Sequence, residues 1–222
     1  MVAGGSGRRF GGRKQFLPLA GHPVASWSVR AARSVADGVV LVVPAPDSDD
    51  ADDVSIPVPG STGEDALGAT CVVPGGVTRA DSVRAGLAAV PSDAEVIVVH
   101  DAARPLAGDD LFSAVVDAVR AGDVDGAVPV VPVTDTLKRV DAGRVVATVD
   151  REGLLAVQTP QAFAADALRA AHAGAGDATD DAGLLEAAGL VVAAVVGDPR
   201  NLKLTRPEDL ALAEALLAGA QR

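Results

Sequence analysis

Several things are scarce in this 222-residue sequence, and each scarcity narrows its reading. Tyrosine is absent, and one tryptophan and four phenylalanines are the only other aromatics, so the core must be aliphatic. The single cysteine, Cys71, lies in an apolar run and excludes a disulfide within the chain. No apolar run approaches the roughly 18 residues a membrane-spanning helix needs, and no signal-peptide pattern is seen. A cytoplasmic protein with no membrane contact is therefore expected. Cations are outnumbered: 19 Lys and Arg stand against 30 Asp and Glu, a net charge of −11. That argues against a nucleic-acid partner, which calls for a basic face. Internal repeats and low-complexity linkers are also missing. A single domain over residues 1–222, with a sizeable core, is the expectation.

What the chain does have is glycine at its start. Ala3 to Lys14 reads Ala-Gly-Gly-Ser-Gly-Arg-Arg-Phe-Gly-Gly-Arg-Lys. Gly4, Gly5 and Gly7 allow a tight turn and close backbone approach to a ligand. Successive N–H groups in such a loop make a concave anion site, and Arg8, Arg9, Arg13 and Lys14 add charge for phosphate oxygens. Two familiar loops are excluded. Phe10 stands where a dinucleotide fingerprint needs its third glycine, and Lys14 is followed by Gln15 rather than the Ser or Thr of a Walker loop. The bland alternative is a mobile terminal tail. Phe16, Leu17 and Leu19 follow at once as anchors and count against it.

Further along, apolar runs alternate with amphipathic stretches. Val39–Val43, Cys71–Val73, Val96–Val99, Gly126–Val131 and Val191–Val196 read as buried strands. Residues 23–33, 80–89, 109–121, 164–173, 180–188 and 207–218 read as helices, the last opened by a Thr205–Glu208 capping box. This order predicts a mainly parallel twisted sheet with helices on both faces, a Rossmann-like α/β fold. Ligands then bind at the carboxyl ends of the strands.

The polar motifs fall just after those strands. Gly75-Gly76 with Arg79 and Ser82 opens a helix, as either a nucleotide contact or an ordinary turn. His100-Asp101-Ala102-Ala103-Arg104-Pro105 follows the Val96 strand, with Asp101 a candidate magnesium ligand. A cap, or a salt bridge to Arg104, is the alternative for Asp101. His100 reads as structural, since nothing nearby completes a triad, and His22 and His172 read as surface residues. Residues 134–160, including Thr136, Arg151 and Thr159, break the rhythm with short strands and suggest an extended β-arm needing a partner to cover it. Thr179-Asp180-Asp181 reads as a helix cap. Lys203, in a short apolar stretch read as a strand, wants an anionic partner. The acidic stretch Asp47–Asp53 reads as a solvated loop.

Taken together and in order, these motifs resemble the 2-C-methyl-D-erythritol 4-phosphate cytidylyltransferase family. They are Ala3-Gly-Gly-Ser-Gly-Arg-Arg with Lys14-Gln15, Gly75-Gly76 with Arg79 and Ser82-Val83, His-Asp-Ala-Ala-Arg-Pro, Asp135-Thr136-Leu-Lys138, Thr159-Pro-Gln, Thr179-Asp-Asp-Ala and Asn201-x-Lys203-x-Thr205. The resemblance implies a nucleotidyltransferase fold, CTP as co-substrate with a divalent cation such as Mg²⁺, and a homodimer formed through the β-arm. It gives Arg9 and Lys14 the α-phosphate transition state, and Arg151 and Lys203 the substrate phosphate. Ala3, Gly4, Gly5, Gly7, Gly76, Ser82 and Ala102 would contact the nucleotide, with Arg79 in support. Asp101 would serve metal and substrate, while Arg104, Thr136, Thr159 and Thr179 would surround methylerythritol phosphate. The sequence departs from the family pattern in having only Met1 and Val2 before the loop, which makes the first strand stubby, and in Val77, where an acidic residue is common. Ribitol-5-phosphate cytidylyltransferase is the nearest rival, disfavoured by Ala102-Ala103. A catalytically impaired nucleotide-binding homologue is the second, disfavoured by the four cations Arg9, Lys14, Arg151 and Lys203.

Overall fold

Helical periodicity decides where the helices lie. In α1 (Val24–Arg33), Val24, Ala25, Ser28, Val29 and Ala32 are the buried positions. In α3 (Asp109–Arg120) they are Leu111, Phe112, Val115, Val116 and Val119. Both are apolar stripes at the 3.6-residue spacing of a helix lying on a sheet. The computed structural model describes residues 1–5, 10, 12–45, 57, 60–174 and 180–220. The acidic stretch Asp47–Asp53 lies outside them.

In chain order, the small antiparallel pair β1 (Pro18–Leu19) and β2 (His22–Pro23) leads into α1. Then come β3 (Val40–Val43), β4 (Cys71–Pro74), α2 (Arg79–Ala89), β5 (Val96–Val99), α3 and β6 (Gly126–Pro132). The chain continues through β7 (Leu137–Asp141), β8 (Arg144–Val149), β9 (Leu155–Val157), β10 (Gln161–Ala164), α4 (Ala165–Ala173) and α5 (Asp181–Ala187). It ends with β11 (Val192–Val196) and α6 (Glu208–Ala220).

Two groups of paired strands are joined by the first residues of the sequence. Val2 bridges in parallel to both Val42 and Asp101. Ala3 N–H donates to Val42 C=O at 2.7 Å, and Val2 N–H to His100 C=O at 2.8 Å. The order across the sheet is thus β4, β3, Met1–Ala3, β5, β10, β6, β11. The stubby first strand expected from the sequence acts as the central splice. All neighbours run parallel except β10, which is antiparallel to both β5 and β6. That strand is a departure from the sequence expectation. Gln-Ala-Phe-Ala carries no β-branched residue to announce it.

Side-chain alternation assigns the two faces. Ala127 and Ala162, paired across β6 and β10, pack with Val115, Val116 and Val119 of α3. Val128 and Phe163 point the other way, to Val83 of α2, Leu168 of α4 and Leu185 of α5. Gly126 gives the Phe163 ring its room, since a Cβ there would lie 2.6 Å from Phe163 Cδ1. The mainly parallel sheet with helices on both faces is therefore present.

The β7–β8 hairpin pairs with itself, turning at Ala142 and Gly143, whose φ angles of 45° and 77° suit a tight mirror-image turn. β9 attaches to the end of β6. Val140, Val145, Val146, Leu154, Leu155 and Val157 all lie exposed along this excursion. Helix α6 differs in its cap from the Thr205–Glu208 box. Asp209 Oδ2 accepts from the N–H groups of Thr205 and Arg206 and from the Thr205 hydroxyl.

Candidate active site

At the carboxyl edge of the sheet the glycine loop, the start of α2 and the turn after β5 enclose a cleft of about 600 Å³. Among the described residues, three cations line it, Lys14, Arg79 and Lys203, together with Asp101, Ala3, Gly4 and Gly5. So a chain of net charge −11 keeps a locally cationic concavity, which suits a polyanion.

Each wall has a local cause. Gln15, 3% exposed, donates from Nε2 to the carbonyls of Ala3 (2.6 Å) and Gly5 (3.0 Å), pinning the loop from behind. Lys14 opens the 3₁₀ turn Lys14–Phe16, with its Nζ 6.0 Å from the centre of the Phe10 ring. On the other side, Thr78 and Asp81 form a reciprocal capping box at the start of α2. Ser82 Oγ accepts the Gly76 N–H at 3.2 Å. A side chain at Gly76 would put its Cβ 2.2 Å from Asp81 Cβ, so only glycine fits without moving the cap.

Asp101 is the focus of charge. Lys203 Nζ donates to its Oδ2 at 2.7 Å, and Arg79 Nε lies 3.6 Å from its Oδ1. Burial pushes the Asp101 carboxyl up, but Lys203 and Arg79 outweigh it and bring the pKa down from 3.8 to about 2. The carboxyl is ionised at neutral pH. Arg79 in turn donates from Nη2 to Asp181 Oδ2 at 2.7 Å.

Behind Asp101 lies a buried hydrogen-bonded stack. Asp101 N–H donates to Thr159 Oγ1 at 3.1 Å, and Thr159 Oγ1 lies 3.1 Å from His100 Nδ1. His100 Nε2 lies 3.2 Å from the Arg104 carbonyl. A carbonyl only accepts, so Nε2 carries the proton and Nδ1 accepts from the Thr159 hydroxyl. Burial lowers the His100 pKa from 6.5 to about 3, keeping the ring neutral. This is the structural histidine expected from the sequence. Arg104 donates from Nη1 to the Asn201 carbonyl at 2.7 Å, and Asn201 Nδ2 to the Thr159 carbonyl at 2.9 Å.

The structure thus brings together Ala3, Gly4, Gly5, Lys14, Gly76, Arg79, Ser82, Asp101 and Lys203 around one cleft. Gly7, Arg9 and Thr179 lie outside the described residues. Ala102 lies just behind the cleft wall. It is 1% exposed with its N–H committed to Val2 C=O at 3.0 Å, and Ala103 lines the cleft instead. Thr159 is buried with its hydroxyl engaged by Asp101 and His100. Thr136 is exposed ahead of β7. Arg151 is exposed and donates to the Val133 and Thr134 carbonyls of its own chain. Lys203 has its anionic partner, but Asn201–Thr205 forms no strand.

His172 is a correction. It is 4% exposed, not a surface residue. Its position in α4, after Ala165 and Leu168 on the same face, carried the signal. Asp181, fully buried, is likewise more than a cap: Asp180 is the N-cap of α5, accepting the Gly183 N–H. Gln15 was legible only as the neighbour of Lys14.

Among the described residues no group of three or more His, Cys, Asp or Glu could hold a metal. A lone carboxylate at a phosphate site still fits magnesium, which takes one or two carboxylates and fills its remaining positions with water and phosphate oxygens.

Comparison with known proteins agrees on one family. The model described as IspD, 2-C-methyl-D-erythritol 4-phosphate cytidylyltransferase, matches residues 1–219. The chain is 47% identical over 220 residues to the enzyme so named from Nocardia farcinica, covering 97% of this chain and 91% of that one. A relative from Frankia casuarinae with the same name is 45% identical, covering 97% of this chain and 79% of the other. Among solved structures, the 2-C-methyl-D-erythritol 4-phosphate cytidylyltransferase of Thermus thermophilus superposes with a TM-score of 0.77 at 36% identity, covering 95% of this chain and 96% of that one.

Proposed function

This chain belongs to the 2-C-methyl-D-erythritol 4-phosphate cytidylyltransferase family, and on that premise we propose how its cleft performs the transfer. The enzyme is a nucleotidyltransferase. It moves CMP from CTP to 2-C-methyl-D-erythritol 4-phosphate, giving 4-diphosphocytidyl-2-C-methyl-D-erythritol and diphosphate. A phosphate monoester oxygen attacks the α-phosphorus, a new P–O bond forms, and the bond to the β-phosphate breaks as diphosphate leaves. The monoester carries close to two negative charges at neutral pH, so no strong base need remove a proton. The barrier is the meeting of two polyanions, and electrostatic stabilisation and positioning lower it.

In this reading the N–H groups of the glycine loop and Lys14, with Arg9, take the triphosphate and the charge that builds on the α-phosphate. Gly76 and Ser82 shape the nucleotide wall, with Arg79 behind them. Lys203 holds the substrate phosphate, and Arg104, Thr136 and Thr179 belong to the polyol side. Thr159 acts from behind, by fixing Asp101. Asp101 would hold the divalent cation, which when bound supplies charge neutralisation to the phosphates. The single observation that carries the reading is the ion-paired Asp101, with Lys203 and Arg79 at the mouth of a glycine-walled cleft.

The chain is read as one domain, with residues 134–160 as an arm. The bare apolar side chains of that segment support a homodimer in which each arm covers its partner. Arg151 would then serve the neighbouring cleft. CTP as co-substrate agrees with work in the cytoplasm, and no described helix is long and apolar enough to cross a membrane. A direct test supplies the enzyme with CTP, Mg²⁺ and either methylerythritol phosphate or ribitol 5-phosphate, and follows diphosphate. Release with the first alone is expected. Release only with ribitol phosphate would overturn the substrate assignment, and full activity in excess chelator would overturn the metal role.

A further inference from the structure

Beneath Arg79 lies a buried pair that the reaction just described does not use. Asp181, the first residue of α5, is fully buried, and His172, in the last turn of α4, is 4% exposed. His172 Nε2 lies 2.9 Å from Asp181 Oδ1. A carboxylate only accepts, so Nε2 carries the proton and donates. The other oxygen, Oδ2, accepts from Arg79 Nη2 at 2.7 Å. Burial pushes the Asp181 carboxyl up, but the His172 hydrogen bond and the Arg79 charge outweigh it and hold it below the usual carboxylate range. The far side of the same guanidinium, Nε, faces Asp101 Oδ1 at 3.6 Å. One arginine is strung between two carboxylates, one buried and one at the reaction centre.

This arrangement does more than cap a helix. Asp180 already caps α5, and the Thr78–Asp81 box already caps α2. Neither helix needs Asp181 for its own start. Arg79 is the first residue of α2, directly after the turn that walls the nucleotide, and an arginine side chain is costly to hold in one rotamer. A fixed carboxylate removes that freedom before any ligand arrives.

We propose that Asp181, oriented by His172, is a positioning residue for cytidylyl transfer: it locks Arg79 against Asp101 and so sets the nucleotide wall in register with the reaction centre before CTP binds. The inference rests on the reading of the cleft as the CTP site. CTP affinity, measured by titration calorimetry beside turnover, separates the two.

Breaking a buried pair leaves an uncompensated charge, so Asp181→Asn should weaken CTP binding by about tenfold or more. Residues that act through one another are not additive, so in an Arg79→Gln background the same change should add less than about twofold. His172→Leu should weaken CTP binding severalfold. His172→Gln, which keeps an N–H donor, should restore most of it. The His172 pair carries the test if Asp181→Asn fails to fold by circular dichroism. The proposal is overturned by multiplicative losses in the Arg79–Asp181 cycle, by wild-type CTP affinity in folded Asp181→Asn, or by equal affinities in the two His172 variants. A wild-type protein that binds no CTP overturns the reading of the cleft and this proposal with it. Wild-type binding and turnover beside an unresponsive Asp181 overturns the proposal alone.

Discussion

Lys14 stands on the short turn that closes the glycine loop, held there by the burial of its neighbours Gln15 and Phe16. It lines the cleft proposed to bind CTP. Lys14→Ala should lower kcat by about 10²–10³-fold, the scale of losing one transition-state contact, and CTP affinity by less. Single-turnover kinetics measure both, and near wild-type kcat would remove Lys14 from the transition state. His100 gives a pH signature. Its folded pKa of about 3 lies below the ordinary 6.5, so the folded protein prefers the neutral ring. The stability this confers is complete above pH 6.5 and is lost as pH falls from 6.5 toward 3. Denaturant unfolding of wild type and His100→Gln should show a stability difference changing by about 1.4 kcal/mol per pH unit in that window. Parallel curves would show that the ring titrates normally. At this scale the sequence was most legible where one residue type has one use. Lysine beside a glycine loop, or aspartate after a buried strand, says phosphate and cation before any fold is known. Thr159, Asp181 and His172 were not legible in this way. Their roles depend on hydrogen bonds across 59, 102 and 9 residues of chain, to His100, Arg79 and Asp181 respectively.

Among the elements, the turn between β4 and α2 carries the sharpest constraint. Gly76 sits against the Thr78–Asp81 cap, with no room for a Cβ. Gly76→Ala should break that cap, costing about 1 kcal/mol of stability, the usual worth of one cap. It should also raise the CTP KM if the same backbone walls the nucleotide, as proposed for the cleft it lines. A variant with lowered Tm and unchanged KM would confine the turn to a structural role. The strands rich in Val, and helices with apolar stripes, were readable because burial writes its period into the chain. β10 was not, because a short strand of Gln, Ala and Phe between paired neighbours needs no propensity of its own. The short stretch around Lys203 misled in the opposite sense. Its leucines are apolar for packing: Leu204 is fully buried with Leu19, Val24 and Ala213.

At the level of the whole molecule, the exposed β7–β9 region makes a genetic prediction. If each arm serves its partner's cleft, Lys14→Ala and Arg151→Ala enzymes should each be nearly inactive. Co-refolded, a mixed dimer holds one cleft with both defects and one with neither, so activity should return. Confirmed subunit exchange without activity would place Arg151 in the service of its own chain. The interleaved sheet has a last consequence, for synthesis. Residues 1–3 find their places between β3 and β5 once about a hundred residues exist, so one half of the sheet can assemble early. The other half cannot follow in order. β6 is made before β10, yet β10 lies between β6 and β5. Until Gln161–Ala164 leaves the ribosome, β5 and β6 both present bare hydrogen-bonding edges, a hazard for sticking to other chains. Nascent chains arrested with β6 outside the ribosome and β10 still inside it should therefore be protease-sensitive and chaperone-bound, and chains arrested with α4 also outside should gain protection abruptly. A gradual rise in protection with length would mean that β5 and β6 find another partner in the interval.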